Sequence, residues 1–361
     1  MILGLACGLI YALRVVHAAS GWYAKIARPA RGWRGRVHVA DDQLGLAPRP
    51  NSRGAHTFPL GPDLPMRYDQ DGLRVPVSDP PPRKRPLVLA LGCSFTYGDA
   101  CRAEDAFPYL VAARLGGTAQ NAGVCGYGLA QMQLRARELI PRLRPDWVLV
   151  QYSPWLAARS ASGYAPSEIG RVPIPRYVQV EGAWRIEPPA FRTWVFDLPF
   201  ADYQAGAPAQ RGFPSFLLRV GLPLCLHDDL CATREWFDQR LGRSPPPPTS
   251  EAFTAFAYRE LLDECERAGA GAILVVLGGA EQPLVELPAS LSLAGWRVAR
   301  GDRALVEPLT RANATLTLDT YVRAYAHLSG NRVFDLHPNP RAHELIAAAV
   351  LEQARARERQ R

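Results

Sequence analysis

The chain predicts an α/β protein built on a three-layer, doubly wound parallel sheet. Three features carry that prediction. Leu87–Leu91 is an uninterrupted apolar run bounded by Pro86 and Gly92, and Trp147–Gln151 and Ala272–Leu277 are runs of the same kind. A strand buried on both faces of a parallel sheet reads this way. Between the runs lie stretches with apolar residues at helical spacing, an alternation that implies right-handed βαβ crossovers. The first run also leads straight into Gly92, Ser94 and Gly98, small residues where the backbone must turn sharply from strand to helix.

Taken in order, Asp105 can cap a helix running to Leu115, with Phe107, Leu110, Val111 and Leu115 on one face and Gly116 ending it. A second helix carries Leu129, Met132, Ala136 and Leu139 and is expected to stop at Pro141. From about Leu156 to Pro248 the alternation disappears. Within that stretch Ile174–Pro188 reads as a hairpin across Glu181–Gly182, and an insertion this long is a candidate lid or substrate platform. Its aromatics, with Trp155, Tyr164, Tyr177, Trp184, Trp194 and Trp236 foremost, suit either sugar stacking or core packing. Ser250 is a cap for a helix through Cys265 that Gly269 closes, and helical turns are expected around Arg303–Asn313 and Thr320–Leu328. Asn339 and Pro340 form a cap and first-turn pair for a terminal helix with Leu345, Ile346, Ala349 and Val350 inward.

The formal charge of +8 looks like a nucleic-acid signal until it is mapped. No acidic residue precedes Asp41, while Arg14, Lys25, Arg28, Arg31, Arg34 and Arg36 supply six positive charges, so the rest of the chain is nearly balanced. Such a segment, with Trp22, Tyr23 and Trp33 beside an apolar run, suits an anionic membrane surface and not nucleic acid. The run itself, Ile2–Leu13, has twelve residues before Arg14, shorter than the roughly twenty of a spanning helix. A signal-peptide core, a truncated anchor, an anchor continuing to Trp22, and an amphipathic helix packed on the domain all remain open, with a membrane-associated amino end preferred.

Seven cysteines cannot all pair. Cys225 and Cys231 flank His227 and fit a small disulfide loop, a metal site or unbonded structural roles, and no metal is assigned. Asp41–Pro82, rich in Gly, Pro and Asp, reads as extended chain and hairpins.

A serine presented at the carboxyl edge of a sheet is a candidate nucleophile, but it needs a base, and the base needs an orienting acceptor. The comparably loaded stretch is Val333–Asn339, where His337 can be the base and Asp335 its partner. The chain order Ser94, Asp335, His337 suits a hydrolytic site assembled from strand ends.

These residues resemble the SGNH or GDSL hydrolases. Block I of that family is matched by Gly92–Gly98, block II by Asn121–Gly128 and the last block by Asp335–Asn339, over roughly residues 86 to 355. The resemblance implies a flavodoxin-like fold, a Ser94–His337–Asp335 triad, and an oxyanion hole from the Ser94 and Gly126 amides. It implies a serine ester hydrolase, esterase-like or acting on O-acylated carbohydrate, with no cofactor and no metal. An O-acyltransferase, or a non-catalytic member binding glycan or acyl chains, is the alternative. Three departures stand out: Cys93 replaces the aspartate of the Gly-Asp-Ser motif, one residue instead of two separates Asp335 from His337, and Trp155 occupies the place of the block III asparagine. Ser153 or Asn121 is then the candidate side-chain donor to the oxyanion, with Ser153 favoured over Gln151 for lying nearer the strand's carboxyl end. The expected organisation is a membrane-associated segment 1–36, a lead-in extension 37–85, and a hydrolase-like domain 86–355 with an insertion at 156–250.

Overall fold

The structure is a computed structural model that describes residues 2–27, 32–78, 82–167, 170–189, 207–241, 250–292, 295–312 and 315–358. Five parallel strands occupy its centre: Leu87–Leu91, Thr118–Asn121, Trp147–Tyr152, Gly271–Val276 and Arg297–Ala299. Counted in chain order they lie side by side as 2-1-3-4-5. This is the flavodoxin-like order, and its direction reverses between the first and third strands, where open α/β sheets receive ligands.

Helices cover both faces, giving three layers. Leu129–Leu143 and Glu251–Arg267 pack on one face around Leu139, Val150, Leu261 and Leu274. Phe107–Arg114, Gly301–Arg311 and Pro340–Glu358 pack on the other around Val111, Val275, Leu305 and Ile346. The apolar runs of the first, third and fourth strands are buried because both of their faces meet a helix layer.

The lead-in does more than pack along the domain. Gly32–Arg34, Arg53–Thr57, Leu64–Tyr68 and Arg74–Val75 continue the sheet antiparallel past Thr118–Asn121, joined by the pairing of Arg74 with Asn121 and giving nine strands in all. The strand Gly32–Arg34 lies inside the segment 1–36, so residues belonging to the sheet begin before residue 37.

Several boundaries differ from the sequence reading. Ala106, not Asp105, precedes the helix Phe107–Arg114, because Asp105 closes a short 3₁₀ turn and pairs with Arg102 at 2.8 Å. The second helix runs past Pro141 to Leu143 and ends where Arg144 turns left-handed at φ 47°. A proline in the last turn forfeits one backbone hydrogen bond, and the helix accommodates it. The amino end is one continuous helix, Ile2–Ala27, that does not break at Arg14. In the insertion, Arg176–Val180 and Ala183–Glu187 form the expected hairpin, with Glu181 and Gly182 at φ 52° and 81°, the two positive values of a type I′ turn. Tyr177 and Trp184 stack edge-on against Phe253 and belong to the core. Trp194 and the prolines 245–248 lie outside the described residues.

Candidate active site

The strand Leu87–Leu91 hands directly into the short helix Ser94–Tyr97, and Gly98 ends it in the left-handed conformation at φ 78°. A Cβ on Gly98 would stand 2.5 Å from that of Ala106, so the turn admits only glycine. Ser94 is thereby held at the first helical position, above the point where the strand order reverses.

His337 comes from the loop before the terminal helix. Asn339 anchors that loop: its amide donates to the carbonyls of Ala324 and Ala326, and its side-chain oxygen accepts the Ala342 N–H to cap the helix. His337 Nε2 lies 2.9 Å from Ser94 Oγ, and Nδ1 lies 2.6 Å from Asp335 Oδ1. The same carboxylate oxygen accepts the His337 backbone N–H at 2.8 Å, which locks the one-residue spacing into a tight turn. With the ring proton on Nδ1 facing Asp335, Nε2 is the acceptor for the serine proton. Phe95 closes one side of the ring, its centroid 5.3 Å from that of His337.

A second carboxylate faces the same nitrogen. Asp99 Oδ2 stands 3.7 Å from His337 Nδ1, and its other oxygen is 2.7 Å from Nδ1 of His56, on the lead-in strand Arg53–Thr57. Both side chains are buried. The arrangement runs Ser94, His337, Asp335 and Asp99, His56. Sequence reading missed the last two, since a lone His and an Asp 43 positions apart carry no shared motif.

The lead-in also clamps the elbow. The buried Arg74 guanidinium donates to the carbonyls of Tyr97 and Gly98 at 2.6 and 2.7 Å and to that of Cys101, and it lies 4.1 Å above the Tyr97 ring.

Cys93 occupies the cap position of the elbow helix. Burial alone would push its thiol up. The charge of Arg159 and hydrogen bonds from the Phe95 backbone, the Trp155 indole and the Gln151 amide outweigh that and hold it below its ordinary range. The sulfur thus accepts the hydrogen bonds expected of a carboxylate at this place. Gln151 completes the bracket, its side-chain oxygen accepting from the Cys93 N–H at 3.0 Å and from Thr96 Oγ at 2.8 Å.

The candidate oxyanion side chains are engaged elsewhere. Ser153 donates to the Leu277 carbonyl at 2.8 Å and accepts from Gln151. Asn121 donates to the carbonyls of Thr96 and Tyr97 and accepts the Gly123 N–H. Each is tied to the scaffold, so neither has a proton to spare for a substrate. Gly126 sits exposed at φ 86° in a loop pinned to the elbow by the Val124 N–H on the Gly92 carbonyl. Trp155 packs edge-on against Phe95 at 5.3 Å.

Donor atoms of Asp99, Asp335 and His337 lie within 4.8 Å of one another. The 2.6 Å contact between His337 and Asp335 is a hydrogen bond, too short to be two ligands of one ion, which stand about 3 Å or more apart. Cys225 is a free thiol, so no disulfide links it to Cys231. A cavity of about 540 Å³ lies apart from the triad, lined by Thr118–Gln120, Arg53, Arg67 and Arg83 among others.

Sheet order and layers define a flavodoxin-like three-layer α/β fold, at whose switch point the elbow serine and the terminal Asp-x-His loop meet. Among solved structures the chain is similar to Axe2, an acetylxylan esterase from Geobacillus stearothermophilus, with 15% identity over 75% of this chain and 94% of that one and a TM-score of 0.38. It is similar to TesA, at 11% identity over 75% and 98% with a TM-score of 0.32. A putative lipolytic protein of the G-D-S-L family from Desulfitobacterium hafniense DCB-2 shows 10% identity over 74% and 99%, with a TM-score of 0.29. No protein-family model and no curated protein matches the chain.

Proposed function

We propose that this chain is a serine ester hydrolase acting on a small acyl ester or an acylated carbohydrate, with its chemistry carried by residues 86–355. The observation behind this reading is the continuous relay from Ser94 Oγ through His337 to Asp335, at 2.9 and 2.6 Å. Ser94 attacks the ester carbonyl and His337 takes its proton. The Ser94 and Gly126 amides receive the oxyanion, and collapse of the tetrahedral adduct expels the alcohol, protonated by His337. Water, deprotonated by the same imidazole, then releases the acid and regenerates Ser94. A sugar hydroxyl in place of that water would make the same site an acyltransferase.

One observation favours a binding-only member of the fold: the Trp155 indole N–H in the block III position is spent on the Cys93 sulfur, and the nearby polar side chains are occupied. Labelling by a fluorophosphonate separates the two readings. The parent should label and the Ser94→Ala form should not; absence of label in a folded parent favours binding without turnover.

The amino-terminal helix is long and apolar enough over Leu5–Ala24 to cross a membrane or to serve as a signal sequence. We read it as the membrane association of this protein, with the basic residues after it facing anionic headgroups.

A further inference from the structure

The helix Ile2–Ala27 does not stand alone. Ala19 packs into an apolar cluster with Phe216, Val220 and Leu224 of the insertion, and a Cβ on Gly221 would stand 2.6 Å from that of Ala19. Small-on-small crossings of this kind join helices where lipid replaces water. Tyr23 adds an edge contact to Phe213 at 5.5 Å and a tilted one to Phe216 at 5.4 Å.

Arg14 is the one formal charge between Ile2 and Ala24, and the insertion answers it: Asp229 accepts from its guanidinium at 2.6 Å. The pair ties the amino-terminal helix to a helix 215 residues further along the chain. Exposed apolar side chains flank the pair on both helices. Leu5, Leu9, Ile10 and Leu13 leave 61–68% of their surface open. On the insertion helix and just past its end, Leu226, Leu230, Phe237 and Leu241 recur at intervals of one and two turns and are 45–67% exposed. So many large apolar side chains left open on two packed helices mark a surface that meets something other than water.

We propose that the insertion helix Leu222–Arg240 docks on the same bilayer as the amino-terminal helix, the two forming one membrane-facing unit joined at Arg14–Asp229. The inference rests on the membrane reading above and adds the second element. The occupant is an anionic lipid bilayer. Lys25, Arg28, Arg31, Arg34 and Arg36 follow the apolar helix without an intervening acid, the charge complement of anionic headgroups. Asp228, Asp229, Arg234 and Arg240 make the insertion helix too polar to cross, so it lies in the interface with its leucines inward. Trp236, half exposed with the Arg240 guanidinium 4.7 Å over its ring, then sits at headgroup level.

The test uses the full chain with vesicles of phosphatidylcholine and phosphatidylglycerol carrying brominated acyl chains. Sedimentation reports membrane binding, and the share of fluorescence quenching lost in the Trp236→Phe form reports the insertion helix. The expected result is co-sedimentation, a measurable Trp236 share, and a severalfold fall of that share in Asp229→Asn with sedimentation unchanged. Sedimentation with no Trp236 share overturns the docking of the insertion helix, and a share unmoved in Asp229→Asn overturns the joint. Protein that stays in the supernatant sinks the membrane reading itself, and a soluble oligomer there would show that copies of the chain cover the patch.

Discussion

At His337, one imidazole nitrogen faces two carboxylates, and the balance between them sets how readily the ring takes the serine proton. Asp335 is the closer, at 2.6 Å, and holds the tautomer. Asp99, at 3.7 Å, adds a negative charge, and its other oxygen is held on the far side by His56 Nδ1 at 2.7 Å. Other groups near Asp99 are the Arg74 cation, Tyr97, Cys101, Asp335, and His38 and His327, whose pKa values burial lowers. Removing the Asp99 charge disfavours the His337 imidazolium, so in Asp99→Asn the acidic limb of the labelling rate should move down. In His56→Gln, Asp99 keeps its charge but loses the ring contact at 2.7 Å on its far oxygen, which leaves more of that charge facing His337, and the limb should move up. Damage to the fold alone would lower the rate without moving the limb in opposite directions, and superimposable profiles in all three forms would remove Asp99 and His56 from the relay.

Trp155 poses a different trade. Asparagine there supplies the absent oxyanion donor, a group worth about a hundred- to a thousandfold in rate where it is native. It also strips the edge contact from Phe95, which lies against His337, at a cost of about 1–3 kcal/mol. Trp155→Asn is therefore expected to raise turnover of a small aryl acetate while lowering the melting temperature. If both fall together, Trp155 is packing for the base and nothing more.

At the scale of elements, the lead-in is part of the site. Its strand Arg74–Val75 is two residues long, yet Arg74 satisfies three buried carbonyls around the left-handed turn that presents Ser94. Leaving buried acceptors unsatisfied costs about 1–3 kcal/mol each, so Arg74→Ala should destabilise by several kcal/mol. Arg74→Lys recovers little, because an ammonium cannot reproduce the planar fork. Thermal unfolding of the three forms decides the point, and equal stability of parent and Arg74→Ala would refute the clamp. A cut after Ala27 keeps the strand Gly32–Arg34 in the sheet but bares Phe216, Val220 and Leu224, whereas a cut after Arg36 also strips that edge strand.

For the whole molecule, acid sensitivity follows from two buried histidines. His38 and His343 are lowered to about 3 by burial, so both stay neutral in the fold at pH values where the unfolded chain would charge them. The sign follows directly. Above pH ~6.5 both states leave these rings neutral and stability is complete; between ~6.5 and ~3 the unfolded chain binds protons that the fold refuses. Each ring should then remove about 1.4 kcal/mol per pH unit, and denaturant midpoints should fall steeply from pH 6 to 4. A flat profile over that range would mean that the rings are charged in the fold.

The alternation of Leu87–Leu91, Trp147–Tyr152 and Gly271–Val276 with helical stretches determined the sheet because strands buried on both faces must be apolar along their whole length. The caps at Ser250 and Asn339 and the turn at Glu181–Gly182 were legible for the same local reason: each is a residue type selected by a backbone geometry. Local chemistry also marked Ser94, Asp335 and His337 as a set to bring together. It did not reveal Thr118–Asn121, a polar strand that neighbours the lead-in at its outer edge, nor that Arg74, His56 and Asp99 converge on the elbow. Those contacts join positions tens to hundreds of residues apart through side chains with no periodicity. Only the folded chain decides which buried charge meets which carbonyl, because each pays its desolvation at a place that sequence spacing does not encode.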